Sequence, residues 1–284
     1  MIRSVLAAAA AISLLNACGG GYDSATPTAA PEAAWKLVWA DEFDGTAIDA
    51  TKWSFETGGD GWGNGELQYY TPGDNAKVEG GNLTIEARKE SFGGNAYTSA
   101  RLLTKGKAEW TYGRIEARIK MPYGNGMWAA FWMLGANIDS VPWPGCGEMD
   151  VVEMFGTQQW EPGVDWDALA FGAVHWPNAD RPSEDNYVSQ RFAFAGRPKL
   201  HDDFHVYAME WSTTSIKHFV DGNLYQVVDL TSREIAEKGF GDVHQKPFFM
   251  LLNLAVGGDA VGPPDATTVW PQQMVVDWVR VYQR

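Results

Sequence analysis

The residues best suited to chemistry are concentrated in one short segment, 142–156, which has the sequence PWPGCGEMDVVEMFG. Its three carboxylates, Glu148, Asp150 and Glu153, are separated by apolar residues, as in a strand with one face toward the interior. In a regular strand Glu148 and Asp150 share one face and Glu153 points to the other. One extra residue returns Glu153 to the first face, so we predict a β-bulge between Asp150 and Glu153.

With that bulge, Glu148 and Glu153 lie about four strand steps apart, roughly 13 Å between Cα atoms at about 3.3 Å per residue. Side chains that lean inward bring the carboxyl groups to about 5–5.5 Å, where one attacks an anomeric carbon and the other protonates the leaving oxygen. Three carboxylates this close cannot all ionise freely, so we expect one shared proton. This chemistry is glycosidic bond cleavage with retention. An acidic strand facing solvent is the alternative, which the flanking Trp, Gly and Pro residues disfavour.

The elements that must position these carboxylates are short alternating segments separated by Gly, Asn, Asp and Pro. Residues 114–120 alternate polar and apolar without a fault. Residues 216–220 and 224–228 flank a turn and predict a β-hairpin. Residues 274–282 predict a further strand, and 232–238 a short helix. The pattern predicts an all-β protein, an antiparallel β-sandwich of jelly-roll type with a concave substrate cleft.

Composition restricts the partners. The chain has 284 residues and a formal net charge of −14, from 22 Lys and Arg against 36 Asp and Glu. This average charge repels phosphate-rich or sulfated polymers, so we expect no nucleic-acid partner. The 14 tryptophans suit neutral sugars, whose apolar faces stack on indole rings, although core packing is the alternative for each. We expect one monomeric catalytic domain, residues 35–284.

The amino terminus has the pattern of an export signal. A positive charge at Arg3 precedes a short apolar stretch, and Leu15 to Gly19 resembles a bacterial lipoprotein signal with lipidation at Cys18. We expect a signal peptide (1–17), a flexible linker (18–34) and a place in the bacterial cell envelope as a lipoprotein. A secreted protein with an ordinary cleaved signal is the alternative. The second cysteine, Cys146, is expected to be a buried packing residue.

The pattern of residues 148–153 resembles the E-x-D-x-x-E signature of glycoside hydrolase family 16, in its laminarinase-like branch. The resemblance implies that Glu148 is the nucleophile, Asp150 its electrostatic helper and Glu153 the general acid, then base. Further similar segments follow in order along the chain, at residues 39–45, 64–70, 97–101, 112–120, 126–134, 253–258 and 276–282.

The same resemblance implies the residues that bind the sugar. Trp128 and Trp132 are expected to line the glycone subsites and to stack on sugar faces. Asn64 and Arg101 are expected to hydrogen-bond sugar hydroxyls. His175 resembles a family histidine on the leaving-group side, and a structural histidine is the alternative.

Members of this family often carry a structural Ca²⁺, and Glu42, the carbonyl of Gly81 and Asp277 occupy comparable positions here. Asp277 also follows a two-residue period with Val275, Val279 and Val281, which places a carboxylate on an apolar face, where it needs a partner. A hydrogen-bonded aspartate without metal is the alternative. No cofactor is expected for catalysis.

The resemblance implies an endo-acting β-1,3-glucanase for laminarin-like polymer, with mixed-linkage β-1,3-1,4-glucan as a further substrate. Relatives that cleave agars, porphyrans or carrageenans accept galactose units, many of them sulfated, and the acidic composition disfavours such substrates. Transglycosylation is a third enzymatic alternative, since a sugar can capture a retaining intermediate. A non-catalytic surface glucan-binding protein is the alternative of another class, disfavoured because both glutamates are present.

Overall fold

Alternating apolar and polar residues fold almost the whole described chain into strands. The computed structural model describes residues 33–157, 161 and 163–284. The predicted signal peptide 1–17, Cys18 and the linker up to residue 32 lie outside the described residues. Residues 34–284 form one compact unit. No helix among the described residues has the length and apolar character to cross a membrane.

The strands follow one another with short connections. In chain order they are β1 (Lys36–Asp41), β2 (Ser54–Glu56), β3 (Gln68–Tyr70), β4 (Ala76–Glu79), β5 (Asn82–Ala87), β6 (Tyr97–Ser99), β7 (Arg101–Leu103), β8 (Gly113–Lys120), β9 (Met127–Gly135), β10 (Glu148–Phe155), β11 (Ala170–Pro177), β12 (Asp185–Phe192), β13 (His205–Trp211), β14 (Ser215–Val220), β15 (Asn223–Asp229), β16 (Phe248–Val256) and β17 (Gln272–Gln283). A 3₁₀ turn spans Trp166–Ala168. The helix α1 (Arg233–Glu237) is capped by the Ser232 side chain, which accepts from the backbone N–H of Ile235.

Two antiparallel sheets form the sandwich. The outer sheet has the order β15-β14-β13-β8-β17-β5-β4, with β1 also paired to β17. The inner sheet has the order β12-β11-β10-β9-β16-β7-β2. Among the described strands, the small β3-β6 pair is parallel. The antiparallel jelly-roll sandwich, the short helix and the hairpin of β14 and β15 are confirmed.

The core lies between the two sheets, where strands such as β8, β9 and β16 contribute alternate residues. On β8, Ile115, Ala117 and Ile119 are fully buried, and their neighbours Arg114 and Arg118 are only partly covered. Aromatic rings join the layers and fill the core. Because one face of each inner strand is used for this packing, its other face is free to form a cleft.

The predicted bulge in β10 is confirmed. Asp150 pairs with Trp132 and Val152 with Phe131 of β9, so Val151 is the extra residue. Val151 and Val152 both pack in the core. The bulge thereby returns Glu153 to the cleft face that holds Glu148 and Asp150.

A second bulge, in β17, was not predicted. Val276 pairs with Ile119 and Trp278 with Arg118 of β8, so Asp277 is the extra residue. Buried positions are even-numbered up to Val276 and odd-numbered from Val279 onward. The prediction that Asp277 shares an apolar face with Val279 is therefore wrong. Asp277 points outward, about one-third exposed, because the bulge changes the strand face at this residue.

Candidate active site

A cleft of about 740 Å³ lies on the inner sheet, on the face opposite the core. On β9 the alternation is complete, because residues 128, 130, 132 and 134 line the cleft while residues 127, 129, 131 and 133 are in the core. Strands β7, β10, β11, β12 and β16 contribute further lining side chains, as does the loop before β3. The sheet therefore presents a row of polar groups along an aromatic groove.

The three carboxylates of β10 all line this cleft, as predicted. Asp150 is only 2% exposed. One carboxylate oxygen of Glu148, one of Asp150 and one ring nitrogen of His175 lie within 4.8 Å of one another. His175 is the β11 partner of Glu148 in the strand register. Cross-strand pairing therefore places a basic ring directly beside the acidic cluster.

Burial and mutual repulsion raise the proton affinity of both glutamates. Burial, and then the charge of Asp150, hold the pKa of Glu148 well above its ordinary value. The same two causes raise the pKa of Glu153 to about 8, while a hydrogen bond from Trp128 partly opposes them. A carboxylic acid with this pKa remains protonated at neutral pH, as a general acid requires. The cluster thus retains a proton, as expected from the sequence.

The two predicted tryptophans project into the cleft from β9, and each also donates a hydrogen bond. Trp128 Nε1 donates to Glu153 Oε1 at 2.9 Å. Trp132 Nε1 donates to Asn253 Oδ1 at 2.7 Å. Both rings are partly exposed, which leaves surface for a sugar to stack on. Trp128 therefore contacts Glu153 directly, which the sequence pattern did not indicate.

Arg101 lines the cleft on β7, and its charge is neutralised within the protein. Its Nε lies 2.6 Å from Glu56 Oε2. Its guanidinium carbon lies 5.0 Å from the ring centroid of Trp62 and 4.8 Å from that of Trp132. Arg101 is therefore held in the cleft lining by an ion pair and two aromatic rings.

Asn64 lines the cleft beside Glu66, a residue that the sequence did not single out. Asn64 Nδ2 donates to Glu66 Oε1 at 3.1 Å. The other carboxylate oxygen accepts from Gln68 Nε2 at 2.7 Å and from the Tyr70 hydroxyl at 3.0 Å. Glu66 therefore orients the Asn64 amide with its carbonyl oxygen available as an acceptor for a sugar hydroxyl. Four residues of the Asn64–Tyr70 segment make this network, but local spacing does not show which of them meet.

His175 lies between two aspartates. Its Nε2 is 3.2 Å from Asp150 Oδ2, and its Nδ1 is 2.8 Å from Asp185 Oδ2. Burial alone would lower the pKa of His175, but contacts with Asp150 and Asp185 raise it to about 12. The ring of Tyr187 stacks on the imidazole with centroids 5.4 Å apart. The functional interpretation of His175 gains support from these contacts, whereas Asp185 and Tyr187 were missed because they belong to a different strand.

Cys146 occupies a separate small apolar cluster. It is fully buried with Leu103, Leu134, Phe249 and Leu251. Burial raises the pKa of its thiol to about 11. A thiol in this state is a poor nucleophile, so its predicted packing role is confirmed.

The two carboxylates predicted for calcium, Glu42 just after β1 and Asp277 on β17, bind arginines, and Gly81 lies in the turn between β4 and β5. Both carboxylate oxygens of Glu42 accept hydrogen bonds from Arg280, each at 2.8 Å. Asp277 Oδ2 accepts from Arg118 at 2.6 Å. Ca²⁺ requires several free oxygen ligands, and guanidinium groups already neutralise these two carboxylates. The side chains in this arrangement therefore do not fit the predicted ion.

Together the jelly-roll fold and the paired glutamates in an aromatic cleft define a two-carboxylate glycoside hydrolase. The family model described as the GH16 domain of β-porphyranases A–D matches residues 35–284. A β-glucanase of Rhodothermus marinus is 43% identical over 261 residues, covering 88% of this chain and 85% of its own length. The chain belongs to glycoside hydrolase family 16.

Solved structures agree with this assignment. The laminarinase catalytic domain from Thermotoga maritima is 43% identical, with a TM-score of 0.78 over 88% of this chain and 98% of that one. The endo-β-1,3-glucanase from Pyrococcus furiosus is 42% identical, with a TM-score of 0.78 over 88% of this chain and 94% of that one. These matches identify the laminarinase-like branch of the family.

Proposed function

We propose that this protein hydrolyses internal β-1,3 linkages of laminarin-like glucan, and also cleaves mixed-linkage β-1,3-1,4-glucan, with retention of anomeric configuration. The observation that carries the proposal is the bulge at Val151, which places Glu148 and Glu153 on one face of an aromatic cleft. The relatives named as laminarinase and endo-β-1,3-glucanase support the choice of glucan.

In the first step, Glu148 attacks the anomeric carbon while Glu153 gives its proton to the departing glycosidic oxygen. The raised pKa of Glu153 supplies that proton at neutral pH. The bond from carbon to the leaving oxygen breaks as the bond to Glu148 forms, which yields a covalent glycosyl-enzyme. Trp128 Nε1 donates to Glu153 and stabilises the carboxylate that the transfer produces.

In the second step, the ionised Glu153 removes a proton from water, and the water oxygen attacks the same carbon. Glu148 then departs as a carboxylate, and the two inversions give net retention. Asp150 is ideally placed to influence both steps, because its charge acts on both glutamates. Side chains and water supply all of the chemistry.

The charges that line the cleft favour a neutral polysaccharide over a sulfated one. Among the described lining residues, Arg101 and His175 are the basic ones. Arg101 is paired with Glu56, and His175 with Asp150 and Asp185. A sulfated galactan would bring anions to carboxylates without an unpaired cation to receive them. The glucan proposal is therefore preferred to a galactan hydrolase, the alternative that the porphyranase family description raises.

The test is product analysis after incubation of residues 34–284 with laminarin, lichenan, agarose, porphyran and κ-carrageenan in parallel. We expect short β-1,3-linked oligosaccharides from laminarin, formed first in the β configuration as seen by NMR. Glu148→Gln is the inactive control. Products from the galactans alone would overturn the substrate, and products initially in the α configuration would overturn the mechanism.

We also propose that the enzyme is exported and held at the bacterial cell envelope by a lipid on Cys18. The support is the sequence from Arg3 to Gly19, which has the composition of a lipoprotein signal. Mass spectrometry of the full-length protein, expressed in a bacterial host, is the test. We expect a lipid-modified amino-terminal Cys18 in the membrane fraction, which Cys18→Ala abolishes. A soluble mature protein without lipid would contradict the anchor.

A further inference from the structure

Asp185 is a partly buried carboxylate beside His175 that neither catalytic step uses. It begins β12, and its side chain is 20% exposed. Its Oδ2 lies 2.8 Å from Nδ1 of His175, on the side of the ring away from Asp150. Both ring nitrogens of His175 therefore face carboxylate oxygens. A carboxylate only accepts hydrogen bonds, so each nitrogen needs its own proton to make both contacts favourable.

From this geometry we infer that Asp185 is a positioning residue, which keeps His175 doubly protonated and aimed at Asp150. It acts through His175 and makes no contact with the reacting atoms. Tyr187 assists by stacking on the imidazole at an interplanar angle of 23°, which restricts the tilt of the ring. Asp185 then determines the protonation state of His175, and Tyr187 determines the plane of its ring. This inference rests on the proposed function of the cleft.

The groups around His175 show why its charge matters. Glu148 and Asp150 face it from β10, Asp185 and Tyr187 from β12, and Glu153 lies further along β10. His244, which is buried and has its pKa lowered to about 3 by burial, adds no positive charge. Among the described residues around it, the imidazolium of His175 is therefore the one cation. It faces the carboxyl groups of Glu148, Asp150, Glu153 and Asp185.

Loss of that cation would change the reactivity of the glutamates. The charge of His175 lowers the pKa of both Glu148 and Glu153, against the repulsion from Asp150. If His175 became neutral, both glutamates would hold their protons more tightly. Glu148 attacks only as a carboxylate, so a smaller fraction of the enzyme would be competent. Through the charge of His175, Asp185 thus lowers the proton affinity of Glu148 and favours its carboxylate form.

The test is Asp185→Asn, which keeps a side-chain acceptor of the same shape and removes its charge. A matched control exists in the outer sheet, where Asp221 Oδ2 lies 2.8 Å from Nδ1 of His205. Asp221→Asn removes the charge of a carboxylate that lies at the same distance from its histidine as Asp185 does, but that does not line the cleft. Asp185→Glu tests rescue by a restored carboxylate.

Two readouts separate positioning from folding. Imidazole ¹⁵N shifts follow the protonation of His175, assigned by comparison with His175→Gln. The pH profile of kcat/KM on laminarin follows the fraction of enzyme in which Glu148 is ionised and Glu153 is protonated. In the wild type we expect His175 to stay doubly protonated from pH 5 to pH 9. In Asp185→Asn we expect it to titrate within that range. The acidic limb of kcat/KM, which follows ionisation of Glu148, should then move up by about one pH unit, a loss of about tenfold at a fixed pH on that limb. Asp221→Asn should retain the wild-type profile.

Each outcome decides the inference. A His175 that stays doubly protonated in Asp185→Asn, with an unchanged pH profile, would overturn it. A raised KM with unchanged kcat and unchanged His175 protonation would make Asp185 a sugar-binding residue instead. Recovery of kcat/KM in Asp185→Glu would support it. An inactive wild type on laminarin would instead refute the proposed function, because the NMR result is independent of substrate.

Discussion

The hydrogen bond from Trp128 to Glu153 makes a quantitative prediction about the pH dependence of the enzyme. Trp128→Phe keeps an aromatic ring on β9 and removes the N–H that donates to Glu153 Oε1 at 2.9 Å. This donor stabilises the carboxylate form of Glu153 and so lowers its pKa. Without it the pKa rises. Because Glu153 must be protonated for the first step, the alkaline limb of kcat/KM should move to higher pH.

The size of the shift follows from the strength of the lost contact. A hydrogen bond to a charged group contributes about 1.5–3 kcal/mol. One pKa unit corresponds to about 1.4 kcal/mol, so the full range is about one to two units. Since Trp128 is partly exposed and water can replace its donor, we expect the lower end. The alkaline limb, set near pH 8 by Glu153, should therefore move to about pH 9.

The assay is the pH profile of kcat/KM for laminarin hydrolysis, since this ratio reports ionisation of the free enzyme. Trp132→Phe is the matched control, because Trp132 lies on the same strand and its Nε1 donates to the neutral amide of Asn253. Each variant removes an indole on which a sugar can stack, but only Trp128→Phe should move the alkaline limb of the pH profile. An unchanged limb, a shift to lower pH, or an equal shift in Trp132→Phe would refute this reasoning.

The other predictions concern the catalytic pair, the packing under the bulge and the outer face. Glu148→Gln should lose roughly 10³-fold or more in kcat while it still binds laminarin oligosaccharides by calorimetry, and an active variant would refute its nucleophilic role. Glu153→Ala should regain turnover with azide on activated aryl glycosides, and failure of this rescue would count against the acid/base role. Gly172→Ala should cost about 1–3 kcal/mol in thermal unfolding, because its Cβ would lie 2.5 Å from the Tyr225 hydroxyl oxygen. Gly45→Ala, whose Cβ meets nothing closer than 3.6 Å, should cost less, and equal losses would contradict the packing argument. A chelator should leave the melting temperature unchanged, since arginines neutralise the carboxylates predicted for calcium, and a large drop would restore the metal site.

Local sequence patterns were sufficient to predict several strands and the acidic cluster that lines the cleft. Alternation identified β8, β17 and the hairpin of β14 and β15, because side-chain direction along a strand depends only on neighbouring residues. In β10 the bulge was predictable, because three carboxylates with a common task marked the face that they had to share. No residues with a common task marked the bulge in β17, so the predicted face of Asp277 was wrong.

Contacts between distant segments were decided only by the tertiary structure. The partners of His175 come from β10 and β12, and those of Trp128 and Trp132 from β10 and β16. The sequence by itself determined the fold class and the cleft face shared by Glu148, Asp150 and Glu153, because these depend on residue type and local period. Which groups set their ionisation depends on sheet register and burial, and those are properties of strands far apart in the chain.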